Sequence, residues 1–165
     1  MNAYSIQKVG PQAAPLVQQL GTAVYHTTYQ SILSGAQIDF MLQKNYTPEA
    51  IQQVMADGQE FYILTKPDRQ PLGFIALQKK NKDTLRIEKL YLLAGSQGLG
   101  LGKKLIDFAV DHAKAQGFSV VELNVNRGNN AYHFYRKQGF EVIAEVDIPY
   151  YGYILDDYIM QRPIR

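Results

Sequence analysis

The chain has 165 residues, 46% apolar and 19% charged, with a formal net charge of +2 and no cysteine. This composition predicts a globular protein with one core, and it excludes disulfides, thiolate metal sites and a cysteine nucleophile. Its basic residues are scattered, which argues against a nucleic-acid partner, and no apolar run approaches the roughly 20 residues of a membrane span.

Tyr4 to Val9 alternates weakly and reads as a first strand. Lys8 and Pro11 stand where a secretory signal would be apolar, so a cytoplasmic protein without membrane attachment is expected. Pro11 opens a helix in which Leu16, Val17, Leu20 and Val24 recur at helical spacing. A short helix is expected at Asp39–Gln43. Another follows from the capping pair Thr47-Pro48 and ends at Gly58. The period then changes, giving strands at Phe61–Thr65, Leu72–Gln78 and Leu85–Leu93. Gly98, Gly100 and Gly102 lead into an amphipathic helix carrying Leu101, Leu105, Phe108, Ala109 and His112. Val120–Val125 reads as a buried strand, and Asn130–Gln138 as a helix capped by Gly139. Two further strands, Phe140–Ile148 and Tyr153–Met160, close the chain. The expectation is one α/β domain with a mixed sheet, spanning residues 1–165. Its strand–loop–helix–strand unit from Leu85 to Val125 is a right-handed parallel crossover. Ligands bind beyond the carboxyl ends of such strands, where the glycine loop and Asn124–Asn130 converge.

A strand running into a glycine-rich helix start presents unpaired N–H groups and a positive helix end, which suits a phosphate or pyrophosphate. A Walker loop fails, because Lys104 follows Gly102-Lys103 and Gln97 stands where its first glycine belongs. A dinucleotide fingerprint matches at Gly98 and Gly100 but meets Lys103 at its third glycine. Glu122 lies about where that motif's ribose-binding acid would fall. The third pattern, Gln97-Gly98-Leu99-Gly100-Leu101-Gly102, resembles the acyl-CoA pyrophosphate loop of the GNAT superfamily of N-acetyltransferases. The block from Asn129-Asn130-Ala131-Tyr132 through Phe134-Tyr135 to Gly139-Phe140 is similar to a second signature of that family. The end motifs around Tyr25–Tyr29 and Asp156-Asp157-Tyr158 resemble its PaiA-type polyamine acetyltransferase branch.

The resemblance implies a splayed central sheet and acetyl-CoA as co-substrate. Backbone N–H groups of Gln97, Gly98, Leu99, Gly100, Leu101, Gly102 and Lys103 would hold the pyrophosphate. Leu90, Tyr91 and Leu92 would pair with pantetheine, and a backbone N–H there, that of Leu90, would stabilise the oxyanion. Asn126, Asn129 and Asn130 stand as alternatives for a CoA-contacting amide, and Tyr132 joins the cofactor set. Tyr135 would protonate the departing thiolate. An alkylamine of pKa ~10 arrives protonated, so a base is needed. Glu88 fills that role or is an exposed strand residue paired with Arg86 or Lys89. Regular alternation would put it on the face of Leu90 and Leu92. Tyr25, Tyr29, Tyr150, Tyr151 and Tyr153 with Asp156 and Asp157 would wall the acceptor side, their ring faces and carboxylates suiting a cationic amine. No metal is expected, since His26, His112 and His133 show no ligand spacing. The implied reaction is direct acetyl transfer in a ternary complex to a primary amine, with a polyamine slightly preferred. A protein or peptide amine and a non-catalytic acyl-CoA-binding module are the alternatives. A homodimer through the C-terminal strands is common in that family.

Overall fold

A computed structural model describes residues 3–96 and 98–164. The elements run β1 (Ser5–Val9), α1 (Ala14–Tyr29), α2 (Gly35–Asn45), α3 (Pro48–Ala56), β2 (Glu60–Thr65), β3 (Pro71–Lys79), β4 (Thr84–Leu92), α4 (Leu101–Ala115), β5 (Val120–Asn126), α5 (Ala131–Lys137), β6 (Glu141–Tyr150) and β7 (Tyr153–Pro163). The strands form one sheet in the order β1-β2-β3-β4-β5-β7-β6. Every neighbouring pair is antiparallel except β4 and β5. Among the described residues no helix is long and apolar enough to cross a membrane.

Local chemistry sets the helix ends. The Thr47 hydroxyl accepts the Ala50 N–H at 3.1 Å, and Ser34 caps α2 in the same way through Gln37. The α-helix expected from Pro11 begins instead at Ala14, after a 3₁₀ turn at Pro11–Ala13. Pro15 explains the shift, because a proline without an N–H is tolerated only in a helix's first turn.

Two apolar layers cover the sheet. On one face Leu105, Ile106 and Ala109 of α4 pack on Leu85, Ile87, Val121 and Leu123. On the other, Val17 and Leu20 of α1 meet Phe61, Ile63, Phe74 and Ala76. Each Leu, Ile, Val or Phe among them, fully buried, contributes about 1.5–3 kcal/mol. His112 belongs to this packing, its ring stacked 6.0 Å from Phe108.

The pairing of β4 with β5 positions the site. It stops at Ile87↔Leu123, although β4 continues to Leu92 and β5 to Asn126. The two parallel strands therefore part into a fork, while β3 holds β4 as far as Leu92. A bulge coincides with the fork: Ile87 pairs with Leu77 and Lys89 with Ala76, which leaves Glu88 as an extra residue. The bulge corrects the expected alternation. Leu90 and Leu92 pack on the α4 side with Ile87, whereas Tyr91 packs on the α1 side.

Gly73 permits this arrangement. A Cβ there would lie 2.1 Å from the Tyr91 carbonyl oxygen and 3.0 Å from the Leu92 Cα. Gly73→Ala is therefore expected to destabilise the fold by about 2 kcal/mol, lowering Tm by roughly 4–8 °C. Thermal unfolding followed by circular dichroism checks this, and an unchanged Tm would mean that β3 and β4 separate freely there.

Candidate active site

Gly98 and Gly100 have φ of +81° and +71°, in the left-handed region, and a Cβ on either would meet nothing within 4 Å. The loop is thus left-handed for the turn and open on its outer side. The N–H groups of Leu101, Gly102 and Lys103 open α4 and have no partner within the helix. Gly102 has a different reason to be glycine, since its Cβ would sit 2.9 Å from the Phe134 ring of α5. Lys103 extends to Asp107 at 2.7 Å on the exposed surface. Gln97 lies outside the described residues.

A cleft of about 840 Å³ runs from this loop into the fork. Of the residues expected to hold the cofactor, Leu90, Tyr91 and Leu92 of the free β4 edge line it. So do Gly98, Gly100, Leu101, Gly102 and Lys103 of the loop, and Asn129, Asn130 and Tyr135 opposite. Leu99 points outward, 58% exposed. Of the three asparagines, Asn126 is tied up locally, donating to Asp156 at 3.0 Å and accepting the Gly128 N–H at 2.8 Å. Asn129 caps α5 through the Ala131 N–H at 2.9 Å. Asn130 makes no capping bond. Tyr132 is absent from the cleft lining and packs against Tyr158, with centroids 5.1 Å apart.

Tyr135 enters the cleft from α5, its ring 5.4 Å from Phe134 and 6.0 Å from Phe140. Burial pushes its phenol well above the ordinary tyrosine value, and the nearby Tyr29 phenol adds to this. Tyr29 reaches the same cleft from the opposite face, at the end of α1. Burial raises its pKa as well, with Asn129 pulling it down and Asp157 pushing it up. The two phenols therefore line one cleft. Glu88 also lines the cleft, and Arg86 Nε donates to its Oε2 at 3.1 Å.

The remaining acceptor-side residues are placed differently. Tyr25 is 7% exposed and stacks behind Tyr29 at 4.5 Å, so it backs the wall rather than lining it. Tyr151 is 64% exposed in the β6–β7 turn, where Lys44 of α2 lies over its ring at 4.5 Å. Asp156 accepts from Asn126, as noted. Its neighbour Asp157 accepts from Asn124 Nδ2 at 3.2 Å, and burial raises its carboxyl pKa.

Glu122, the ribose-binding acid of the dinucleotide reading, is fully buried and engaged by Lys80, Arg86 and Gln161. It is not available to a ribose. Lys89 and Asn124 are among the lining residues to which the sequence reading gave no site role. Lys89 hydrogen-bonds Gln59 and lies 5.4 Å over the Phe61 ring, where burial lowers its pKa to about 8 against the raising effect of Glu88. Asn124 was seen only as part of the β5–α5 region. An apolar–polar alternation along β5 is the one signal that could have singled it out.

A parallel pair that parts over a glycine-rich helix start thus turns a free strand edge and unpaired N–H groups toward one cleft. A family profile described as "Acetyltransferase (GNAT) domain" matches residues 28–148. The chain is 25% identical over 153 residues to an uncharacterized N-acetyltransferase of the pepI 3′ region of Lactobacillus delbrueckii subsp. lactis, covering 88% of each chain. In structure it resembles the PaiA N-acetyltransferase of Thermoplasma acidophilum, solved in complex with coenzyme A (TM-score 0.84, 23% identity, 98% and 99% covered). It also resembles a GCN5-related N-acetyltransferase of Rhodopseudomonas palustris (TM-score 0.81, 20% identity, 96% and 94% covered). The chain belongs to the GNAT acetyltransferase family, and it is an N-acetyltransferase that uses acetyl-CoA.

Proposed function

We propose that the chain acetylates a primary amine of a small cationic molecule by direct attack in a ternary complex, with a polyamine as the preferred acceptor. The observation that carries this reading is the fork approached from both faces. The glycine loop and Tyr135 stand on the α4–α5 side, and Tyr29 and Glu88 line the same cleft. The backbone N–H groups from Gly98 to Lys103 hold the pyrophosphate, because two left-handed glycines expose them and their first-turn position leaves them unpaired. The free edge of β4 at Leu90–Leu92 pairs with the pantetheine arm, and an N–H there polarises the thioester carbonyl. Asn130, with its amide not used in capping, is the asparagine best placed to contact CoA.

Glu88 takes the proton from the incoming ammonium, and Tyr135 gives one to the leaving thiolate. The acceptor enters on the α1 side. There the ring of Tyr29 and the half-buried Asp157 carboxylate, which has no ion-pair partner among the described residues, attract a cation. Of the two expected carboxylates, Asp157 is the one assigned to the cation. A homodimer would use β6, an edge strand of the sheet at the C-terminal hairpin, where Ile143 is 54% exposed; a monomeric mass in sedimentation would exclude it.

Thiol release from acetyl-CoA tests the acceptor class across alkyl monoamines, diamines, triamines and a peptide with a free α-amine. The highest kcat/KM is expected for the di- and triamines. A higher value for the peptide would replace this reading with protein acetylation.

A further inference from the structure

Arg86 sits one rung below the point where the parallel strands part, paired in register with Glu122. Its guanidinium serves three acceptors on two strands. Nε donates to Glu88 Oε2 at 3.1 Å, Nη2 donates to Asn124 Oδ1 at 2.9 Å, and Nη1 donates to the Glu122 carboxylate. A planar guanidinium held on three sides cannot rotate, so it fixes each partner's position relative to the others.

The charges around it are informative. Glu122 is fully buried, yet Lys80 Nζ at 2.9 Å already opposes its charge and Gln161 Nε2 donates to it at 2.8 Å. With Lys80 sharing the Glu122 charge, Arg86 can divide its own between Glu122 and Glu88. Lys89, the next residue, turns away over Phe61 toward Gln59 and makes no ion pair with Glu88. Glu88 is also the extra residue of the bulge, so no cross-strand partner fixes its backbone direction. A flexible carboxylate at an irregular backbone position needs a side-chain anchor to act reproducibly.

We propose that Arg86 is a positioning residue for acetyl transfer: it ties Glu88 to Glu122 and Asn124 at the base of the fork, holding the proton acceptor where the amine must lose its proton. This rests on the reading of Glu88 as the base. The fork is thereby set by ion pairing as well as by sheet geometry, because the same guanidinium bridges β4 and β5 at the end of their pairing.

The test is a double-mutant cycle on kcat with Arg86→Lys, Glu88→Gln and the double variant, together with the Kd for acetyl-CoA. Lysine keeps a positive charge near Glu122 but cannot reach three acceptors. R86K is expected to lower kcat ten- to a hundredfold, as misplacing a reacting group does, and to leave the acetyl-CoA Kd within twofold. R86K is then expected to add little to the loss already caused by E88Q. If R86K slowed the E88Q enzyme as much as it slows wild type, or left wild-type kcat unchanged, the positioning role would be overturned. If E88Q alone left kcat unchanged, the base assignment itself would fall, which is a distinct result. R86Q/E122Q, which removes both charges of the buried pair together, guards against misfolding and is expected to show the same kcat loss with acetyl-CoA binding retained.

Discussion

Tyr135→Phe is expected to lower kcat by about a hundredfold, the contribution of a positioned general acid. The Kd for acetyl-CoA should stay within a factor of two. The substitution removes one hydroxyl and keeps the ring that packs on Phe134 and Phe140. Burial raises the phenol above its ordinary value of 10.0, with Tyr29 adding to the effect. Tyr135 is therefore protonated throughout the physiological range and always has a proton to give. Desolvation in the same cleft also raises the basicity of the departing thiolate, which keeps donor and acceptor matched. Steady-state turnover at saturating amine, read beside calorimetric binding, measures both quantities. Unchanged turnover would remove Tyr135 from the mechanism.

Glu122→Gln is expected to cost about 3 kcal/mol of stability and roughly 6–12 °C in Tm at pH 7. The carboxylate is fully buried and holds Lys80, Arg86 and Gln161, so an amide leaves two cations without their counter-charge. Burial alone would push its pKa up, but the hydrogen bonds from Gln161, Lys80 and Arg86 together outweigh burial and hold it below the usual range. A carboxyl depressed by folding contributes its full stability above its unfolded pKa of ~4.3 and loses it as pH falls through the lower folded value. The Tm difference between wild type and Glu122→Gln should accordingly be steady from pH 8 to about 5 and shrink below pH 4. A difference that stayed constant into acid would mean that shape, not charge, carries the effect.

Much of this was legible in the sequence because it is written locally. Thr47-Pro48 announces a helix start through its own side chain, and the three glycines before Lys103 announce an open loop. Tyr135 could be placed because the Ala131–Gly139 block is one short helix whose inward face is set by its period. What was not legible depends on register between distant strands. The bulge at Glu88 reverses the alternation of β4, and only its pairing with β3 reveals it. Arg86 meets Glu122 because β4 and β5 run parallel in one particular register, 36 residues apart in sequence. Neighbouring residues can also find different partners, as Asp156 does with Asn126 and Asp157 with Asn124. The i, i+4 pair Tyr25 and Tyr29 shares a helix face, and only the folded chain shows that Tyr29, the last residue of α1, reaches the cleft. Gly102 was legible as part of the glycine loop, but the Phe134 ring against which its Cβ would clash was not.

The central claim is that the forked β4–β5 cleft with its glycine loop is an acetyl-CoA site open to an amine from the α1 side. Calorimetric titration of the purified protein with acetyl-CoA, in the absence of amine, tests this most directly. The expected result is one site per chain with micromolar affinity and no thiol released until an amine is added. Absence of binding would contradict the assignment of the loop, and stoichiometric thiol release from acetyl-CoA alone would contradict direct transfer in a ternary complex.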